Sequence, residues 1–303
     1  MKALVTGAYG FIGRHVARRL AETGYRVAGV GHGVWALGEW RRWGLEAWHG
    51  VDVTLDTLAT YGGEPDVIIH CAGSGSVAYS MSHPRQDFER SVLTTLAVLE
   101  YQRLYVPAAR LVVPSSAGVY GLAETLPIRV DAPRNPVSPY GTNKVIVEDM
   151  ARSYARHFSL NVAAVRLFSI YGIGLRKQLL WDASLKFSRG EIDFAGTGEE
   201  TRDWLHVEDA ARLIGAAAQA AGRHCPVFNG GTGVATSNRT VLEILARALR
   251  PGLLPRFSGQ ARPGDPQHYQ ADIASTRDLA WSPSRDLPTE VAAYAEWYAR
   301  GAE

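Results

Sequence analysis

A tyrosine and a lysine stand four positions apart in residues 138–144, which read S-P-Y-G-T-N-K. Ser138 is a good N-cap and Pro139 suits the first helical position, so we predict that a helix begins here. Tyr140 and Lys144 then share one face of that helix. A free tyrosine titrates near pH ~10, and a nearby ammonium favours its phenolate form. The pair therefore predicts a general base, Tyr140, assisted by Lys144.

A glycine-rich turn lies near the start of the chain. Residues 6–13 read T-G-A-Y-G-F-I-G, after a short apolar run and before a helical pattern. Gly7 allows a tight turn, Gly10 lets the backbone approach a pyrophosphate, and Gly13 permits close packing of helix on sheet. The first N–H groups of the helix then face the phosphates, aided by the helix dipole. This context predicts that the turn binds a dinucleotide.

The spacing of the three glycines, together with the tyrosine–lysine pair, resembles the extended short-chain dehydrogenase/reductases. Within them, T-G-A-Y-G-F-I-G is similar to the NAD(P)-dependent nucleotide-sugar epimerase/dehydratase family, whose members include UDP-glucose 4-epimerases. Residues 115–121, S-S-A-G-V-Y-G, resemble that family's S-S-x-x-V-Y-G segment. The resemblance implies that Ser116 supplies a catalytic hydroxyl beside Tyr140 and Lys144. It extends over nearly the whole chain.

The same resemblance implies a set of residues that contact the nicotinamide cofactor. They are Gly7, Tyr9, Gly10, Phe11, Ile12, Gly31, His32, Asp52, Val53, Cys71, Ala72, Gly73, Ser115, Tyr140 and Lys144. In family members that use NAD, an aspartate commonly stands at the position of Gly31 and holds the adenosine ribose. No carboxylate here repels a 2′-phosphate, and Arg14, Arg41 and Arg42 could contact one. We expect NAD for an epimerase, and Gly31 leaves NADP open.

Two small residues after Ser116 exclude some of the family's chemistry. Dehydratases of the family carry an Asp-Glu or Thr-Glu pair there, and its decarboxylases carry a glutamate. This chain has Ala117 and Gly118, neither of which titrates. The resemblance therefore disfavours water elimination and decarboxylation. Epimerisation through transient oxidation, or simple ketone reduction, remains.

A further set of residues is implied to contact a nucleotide-sugar substrate. The set is Ser74, Ser80, Ser116, Tyr140, Ser169, Arg202, Arg262 and Asp265. Ser169 replaces the asparagine that commonly meets the substrate diphosphate. In R-P-G-D, Arg262 would clamp the diphosphate as a guanidinium fork, and Asp265 would reach the ribose. Ser91 likewise replaces a common family asparagine, which puts one hydrogen bond in doubt.

The elements that position these residues alternate between short apolar runs and helical patterns. This pattern predicts an α/β fold: a Rossmann-type doubly wound parallel sheet with a smaller C-terminal α/β substrate domain. We assign residues 1–170, with about 205–230, to dinucleotide binding, and residues 171–204 and 231–303 to the nucleotide sugar. By resemblance we also expect a homodimer, in which the helices near residues 86–105 and 140–158 form a four-helix bundle with their twins.

Composition narrows the class of protein. The formal net charge is +2 and no lysine- or arginine-rich run occurs, so we expect no nucleic-acid partner. No apolar run reaches the length of a membrane span and no signal peptide is recognised, so no membrane partner is expected. Cys71 and Cys225 form no disulfide framework or metal motif, and we interpret them as free thiols of a cytoplasmic protein.

Three functions stay open at this point. The first is an NAD(P)-dependent epimerase of a nucleotide-activated hexose, with transient oxidation at C4 and a UDP-sugar favoured. The second is an NADPH-dependent nucleotide 4-keto-6-deoxysugar reductase, which Gly31 favours. The third, a non-catalytic dinucleotide-binding sensor, conflicts with the intact set of Ser116, Tyr140 and Lys144.

Overall fold

The computed structural model describes residues 1–260 and 267–301. Its strands, in chain order, are β1 (Lys2–Thr6), β2 (Arg26–Val30), β3 (Leu45–His49), β4 (Val67–His70), β5 (Arg110–Ser116), β6 (Asn161–Leu167), β7 (Ser169–Tyr171), β8 (Asp193–Phe194), β9 (Thr201–His206), β10 (Val227–Gly230), β11 (Ala235–Ser237) and β12 (Arg256–Phe257). Seven of them form a parallel sheet in the order β10-β6-β5-β4-β1-β2-β3. The predicted doubly wound parallel sheet is confirmed.

Helices alternate with these strands. They are α1 (Phe11–Glu22), α2 (Glu39–Arg42), α3 (Leu55–Tyr61), α4 (Val77–Ser82), α5 (Pro84–Phe88), α6 (Thr94–Tyr105), α7 (Pro139–His157), α8 (Gln178–Ser188), α9 (Val207–Ala220), α10 (Asn238–Leu249) and α11 (Leu287–Ala299). A π-helical turn, Glu89–Leu93, joins α5 to α6, and 3₁₀ turns occupy Ala117–Val119 and Ala274–Leu279. Within the described ranges, no helix is long and apolar enough to cross a membrane.

The central sheet is covered on both faces, which explains its continuous apolar strands. All four residues of β4, V-I-I-H, are buried. One face packs against α1 and α9, with Val16 and Leu213 in its core. The other packs against α3, α6 and α7, with Leu58 and Leu99 in its core. A parallel sheet needs this double cover, because its crossover helices lie on both sides.

The strand order reverses beside β1, and this reversal creates the crevice that matters for function. The chain runs from β1 outward to β2 and β3, then returns to place β4 on the other side of β1. The loops that leave β1 and β4 therefore diverge at their carboxyl ends, where open α/β sheets bind ligands. The motifs identified from the sequence leave β1, β4 and β5 at this edge.

Beyond β6 the chain builds smaller sheets next to the main one. β7, β9 and β11 form a three-stranded sheet, and β8 pairs with β12. α8, α10 and α11 pack together around Phe187, Leu245 and Tyr294. β10 and α9 return to the main sheet and its helical layer. The cluster that α8, α10 and α11 form also packs against Phe11 at the start of α1.

Candidate active site

The glycine turn has the geometry that its sequence predicts. Gly7 has φ +69°, a left-handed conformation that favours glycine. A Cβ on Gly7 would lie 2.5 Å from the backbone nitrogen of Ala72, so the loop after β4 also requires glycine here. A Cβ on Gly13 would lie 2.2 Å from the carbonyl oxygen of Gly7. The turn thus brings the start of α1 close against β1 and leaves its N–H groups facing the crevice.

The end of β2 explains why glycine stands where an aspartate was expected. Gly31 has φ +149°, and a Cβ on it would lie 3.1 Å from the backbone nitrogen of Gly7. Any side chain here would crowd the glycine turn. The neighbouring side chain, His32, is 82% exposed, and its Nε2 lies 2.9 Å from Oδ1 of Asp52. Val53, beside Asp52, is buried.

The arginine nearest to this position is already engaged. The Nη2 atom of Arg14 donates to the carbonyl oxygen of Tyr9 at 2.5 Å. Its guanidinium also lies 5.1–5.3 Å from the ring centres of Tyr9, Trp35 and Trp43, a distance typical of cation–π contacts. Arg41 stacks on Trp40. These contacts weaken the sequence-based suggestion that Arg14 or Arg41 could bind a 2′-phosphate.

The helix that carries the tyrosine–lysine pair begins where the sequence predicts. The Oγ atom of Ser138 accepts from the backbone N–H of Gly141 at 3.1 Å, and Pro139 is the first residue of α7. This cap fixes the start of the helix at the carboxyl end of β5. Tyr140 and Lys144 consequently lie beside the residues that follow the strand, with the Lys144 ammonium 5.8 Å from the Tyr140 ring centre.

Ser116, at the end of β5, faces Tyr140. A hydrogen bond joins their hydroxyls, and it lowers the pKa of Tyr140. Burial is the larger effect, however, and the pKa of Tyr140 is raised overall, with the Asp87 carboxylate adding to the increase. The phenolate is predicted to be favoured by Lys144 together with the positive ring of a bound nicotinamide, and Lys144 by itself does not lower the pKa of Tyr140. The positive charge needed for it has to come in part from outside the chain.

Lys144 is hydrogen-bonded to β5 of the central sheet. Its ammonium donates to the carbonyl oxygen of Pro114 at 3.1 Å. Burial lowers the pKa of Lys144, while Asp87 is the largest influence that raises it. Such a lysine can place one N–H on the strand and direct the others to the tyrosine side of the crevice.

The 3₁₀ turn after Ser116 leaves room beside the tyrosine. The Oγ atom of Ser116 accepts from the backbone N–H of Gly118 at 3.1 Å. A Cβ on Gly118 would lie 3.5 Å from Cε1 of Tyr140, an ordinary contact distance. A side chain at 118 would therefore touch the tyrosine ring, and here it is a hydrogen. Ala117 is buried, so no titratable group stands at either position.

Ser115 does not face the crevice, although the sequence comparison placed it among the cofactor contacts. It is buried, and its hydroxyl donates to Oε1 of Glu148 at 2.6 Å. Neighbouring residues of a strand point to opposite faces, so Ser115 and Ser116 cannot both face the crevice. The Ser115 hydroxyl is thus bound to Glu148, and the predicted contact of this residue with the cofactor stays a prediction.

The loop after β4 forms the middle of the crevice. Cys71 follows the strand, and burial raises the pKa of its thiol to about 12, so it stays a neutral, small lining residue. Ala72 and Gly73 continue the loop, and Gly73 has φ +138°. The backbone N–H of Ser74 donates to Oγ of Ser91 at 3.3 Å. Ser91, which replaces the family's asparagine, thus supports this loop through its hydroxyl.

The residues implied to contact the substrate differ in their exposure and in their hydrogen bonds. Ser169 is the first residue of β7 and is partly exposed. Arg202 donates to the carbonyl oxygens of Thr201 and Gln267. Ser80, in contrast, is fully buried and donates to the carbonyl oxygen of Val77 at 2.7 Å, so the prediction that it reaches the sugar is wrong for this conformation. Arg262 and Asp265 lie outside the described residues.

Lys177 is a residue that the family resemblance implies to lie along the nucleobase of the substrate, together with residues 179–181. Its Nζ atom lies 3.4 Å from the place of a Cβ on Gly75, across the crevice from the loop after β4. Burial lowers the pKa of this ammonium, and no described residue pairs with it. Gly174, three residues before Lys177, approaches the Phe11 ring at the start of α1. The 172–177 loop therefore spans the crevice above the glycine turn. An isolated lysine in a Gly-rich segment was the available signal.

A buried ion pair was missed. Arg166 of β6 and Glu148 of α7 are 3% and 1% exposed and form hydrogen bonds of 2.9 and 2.7 Å. The sequence pattern does not indicate this pair, because Arg166 is a single arginine in a strand and Glu148 is one of several charged residues in a helix. Among the described residues, no cluster of three or more histidine, cysteine, aspartate or glutamate side chains could hold a metal.

Comparison with known proteins agrees with this geometry. Residues 3–231 match the family described as the NAD dependent epimerase/dehydratase family. A UDP-glucose 4-epimerase of Mycolicibacterium smegmatis is 31% identical over 98% of each chain. The UDP-glucose 4-epimerase of Thermotoga maritima, solved with UDP-glucose, superposes over the full length of both chains with a TM-score of 0.88 and 26% identity. The protein MoeE5, solved with UDP-glucose and NAD, does so with a TM-score of 0.86 and 29% identity.

Proposed function

The chain belongs to the NAD-dependent epimerase/dehydratase family, and on this premise we propose that it is an NAD-dependent 4-epimerase of a UDP-linked hexose. The observation that carries the proposal is the position of Ser116, Tyr140 and Lys144. They meet at the end of β5, in the crevice that the glycine turn opens beside β1. Relatives over the whole length of the chain are UDP-glucose 4-epimerases, which supports the UDP-sugar.

Tyr140 acts as the base and acid of this reaction. Its phenolate takes the proton of the sugar's C4 hydroxyl, and Ser116 donates to the same oxygen as the carbonyl forms. The bound dinucleotide supplies a hydride acceptor and, with its positive ring, the charge that favours the phenolate. After the keto sugar turns over, the hydride would return to the other face of C4, and Tyr140 gives its proton back to the C4 oxygen. Ala117 and Gly118 offer no group for elimination or decarboxylation.

The dinucleotide is NAD, held along the carboxyl edge of β1, β2 and β4. We propose that the following residues contact it: Gly7, Tyr9, Gly10, Phe11, Ile12, Gly31, His32, Asp52, Val53, Cys71, Ala72, Gly73, Tyr140 and Lys144. Two observations support NAD over NADP. Arg14 is engaged with Tyr9 and three aromatic rings, and a related structure contains NAD.

Lys177 contributes a cation to the same site. Its ammonium lies over Gly75, and its loop touches Phe11 at the start of α1, where the pyrophosphate meets the glycine turn. An unpaired ammonium whose pKa is lowered by burial gains most from an anionic partner. We therefore assign Lys177 to a phosphate oxygen of the dinucleotide.

The substrate lies on the other side of the nicotinamide. Ser74, Ser116, Tyr140, Ser169, Arg202, Arg262 and Asp265 form the proposed nucleotide-sugar site. The proposed nucleotide-sugar domain, residues 171–204 and 231–303, supplies Arg202, Arg262 and Asp265, and residues 1–170 with about 205–230 hold the dinucleotide. The position of α9 and β10 against the main sheet supports this division.

The protein is proposed to be a cytoplasmic homodimer. Large apolar side chains stay exposed at Leu93 before α6, at Leu96, Leu104 and Tyr105 in α6, and at Phe158 at the end of α7. The spacing of Leu93, Leu96 and Leu104 places these three along one side of the helix, as expected for a face that meets a second copy. Cys71 and Cys225 are free thiols, which suits a reducing compartment.

Incubation with UDP-glucose, UDP-glucuronate and UDP-N-acetylglucosamine, without added reductant, tests the function. We expect NMR to detect the C4 epimer of at least one sugar, and mass spectrometry to find NAD in the purified protein. Tyr140→Phe should lower turnover by roughly 10²–10⁴-fold. Oxidation of NADPH by a 4-keto sugar, with no epimer formed from any of the three, would establish the ketoreductase instead. Dinucleotide binding without either activity would establish the sensor.

A further inference from the structure

A carboxylate that the proposed mechanism does not use is buried beside the tyrosine–lysine pair. Asp87 lies on α5 and is 0% exposed. Its Oδ2 atom accepts from Nδ2 of Asn143 at 2.7 Å. Its Oδ1 atom is buried and has no hydrogen-bond partner among the described residues. A buried carboxylate with one hydrogen bond is unusual, because desolvation is offset only by pairing.

The hydrogen bond to Asn143 fixes where this charge lies. Asn143 follows Tyr140 by three residues and immediately precedes Lys144, so it shares the helix face of the reacting pair. α5 packs against α7 along this face. The Asp87 carboxylate is thereby held on the side of α7 that carries both functional side chains. Its charge acts on each: it raises the pKa of Tyr140 and that of Lys144.

The other titratable groups around Lys144 cannot balance its charge. Glu148 is paired with Arg166 and accepts from Ser115. Burial keeps Cys71 a neutral thiol, with a pKa of about 12, and His70 a neutral imidazole, with a pKa of about 3. The charged side chains of α4, α5 and the π-helical turn lie wholly or partly at the surface: His83, Arg85, Glu89 and Arg90. Among the described residues near Lys144, Asp87 is the carboxylate without an ion-pair partner.

We propose that Asp87 is a positioning residue that serves as the permanent counter-charge of Lys144, and that Asn143 holds it in place. The inference rests on the proposed epimerase. In the first half-reaction the C4–H and O–H bonds break, and the hydride would go to the dinucleotide and the proton to Tyr140; the second half-reaction reverses both transfers. The phenolate would thus lose its negative charge and the nicotinamide ring its positive charge in the same step. Lys144 remains a buried cation throughout. A buried cation without a counter-ion is strongly unfavourable.

The proposal predicts a directional effect of Asp87→Asn, which keeps the shape and an amide partner for Asn143. The chain has only four lysines, at positions 2, 144, 177 and 186, so ¹³Cε-lysine NMR can titrate each one. We expect the titration midpoint of Lys144 to fall in the variant and that of Lys186 to stay. Lys186 is an internal control, since it contacts the carbonyl of Asp193 far from Asp87.

Turnover gives a second readout. Removing the carboxylate should lower the pKa of both Tyr140 and Lys144, so both limbs of the pH profile of kcat should move to lower pH. A structural role would lower kcat without moving either limb. Asp209→Asn, at a buried carboxylate bonded to Ser284 and Arg285, is the matched control and should leave both limbs in place.

The outcomes separate this inference from the proposed function. An unchanged Lys144 midpoint in folded Asp87→Asn protein would overturn the role of Asp87, whether or not the enzyme is active. If the wild-type protein shows no epimerase activity but Asp87→Asn still lowers the titration midpoint of Lys144, the proposed function is overturned and the role of Asp87 as counter-charge stands. If Asp87→Asn does not fold, Asn143→Ser, which removes the anchor and keeps the carboxylate, should lower the same midpoint; an unchanged value again refutes the inference.

Discussion

Arg166 and Glu148 face each other through two hydrogen bonds, from Nε to Oε1 at 2.9 Å and from Nη2 to Oε2 at 2.7 Å, in a nearly solvent-free site. Arg166 belongs to β6 and Glu148 to α7, so the pair fastens the helix that carries Tyr140 and Lys144 to the sheet. Ser115 of β5 donates to the same carboxylate. The direction of α7 relative to Ser116 depends on this contact, because it ties three elements at one point.

Removing one partner of this pair should destabilise the protein strongly. Arg166→Met leaves the buried Glu148 carboxylate with Arg134 as its remaining ion-pair partner in the described part of the chain, 3.6 Å from Nη1 to Oε2, and we expect the free energy of unfolding to fall by about 3–5 kcal/mol. Urea unfolding monitored by fluorescence measures it. The double variant Arg166→Met with Glu148→Leu should recover much of the loss, since no charge remains buried. A single variant as stable as the wild type would contradict the role assigned to the pair.

The packing of the glycine turn predicts opposite effects for two alanine substitutions. Gly13→Ala would place a Cβ 2.2 Å from the Gly7 carbonyl, so it should shift the turn, lower stability and weaken NAD binding. Gly215→Ala, in the interior of α9, meets nothing within 4 Å and should stabilise by about 0.5–1 kcal/mol, since glycine is a poor helix former. Thermal unfolding and NAD titration compare the two. If the two variants had equal stability and equal NAD affinity, the close packing at Gly13 would not determine either property.

Two buried histidines predict acid sensitivity. Burial lowers the pKa of His15 and His70 from 6.5 to about 3. Between these values the unfolded state binds more protons than the folded state, so stability falls as the pH falls from 6.5 towards 3. Each histidine contributes up to about 1.4 kcal/mol per pH unit within that window. Unfolding by urea at a series of pH values gives the slope.

His15→Phe separates the contribution of one histidine. The imidazole lies between the rings of Phe11 and Trp43, and its Nε2 atom is buried without a partner among the described residues. Phenylalanine keeps the ring contacts and cannot be protonated, so stability should depend less on pH between 3 and 6.5. The exposed His224→Gln serves as the control and should leave the slope as it is. An unchanged slope in His15→Phe would refute the assignment.

Lys177 should influence how long the protein retains NAD. Lys177→Met removes the proposed phosphate contact, and a hydrogen bond to a charged group is worth about 1.5–3 kcal/mol, or roughly 10–100-fold in affinity. We expect faster NAD release in a chase experiment, with little change in UDP affinity. Lys186→Met, on the same helical segment, is the matched control. Weaker UDP binding with unaltered NAD release would contradict the NAD contact and assign Lys177 to the substrate diphosphate instead.

Much of the reacting centre was predictable because its parts are local. The turn at Gly7 requires a left-handed backbone, and Ser138 and Pro139 define a helix start within a few residues. Spacing by four then places Tyr140 and Lys144 on one face. Strand alternation was an unused signal: it shows that Ser115 and Ser116 cannot both face the crevice.

The sequence by itself determined the glycine turn, the start of α7 and the parallel sheet, since backbone conformation and hydrophobic periodicity act over short stretches of chain. Only the tertiary structure decided that Asp87 meets Asn143, that Lys177 crosses to Gly75, and that Ser115 serves Glu148. These contacts join residues far apart in the chain. They depend on how helices and loops pack against the sheet, and no local pattern encodes which charges that packing buries together.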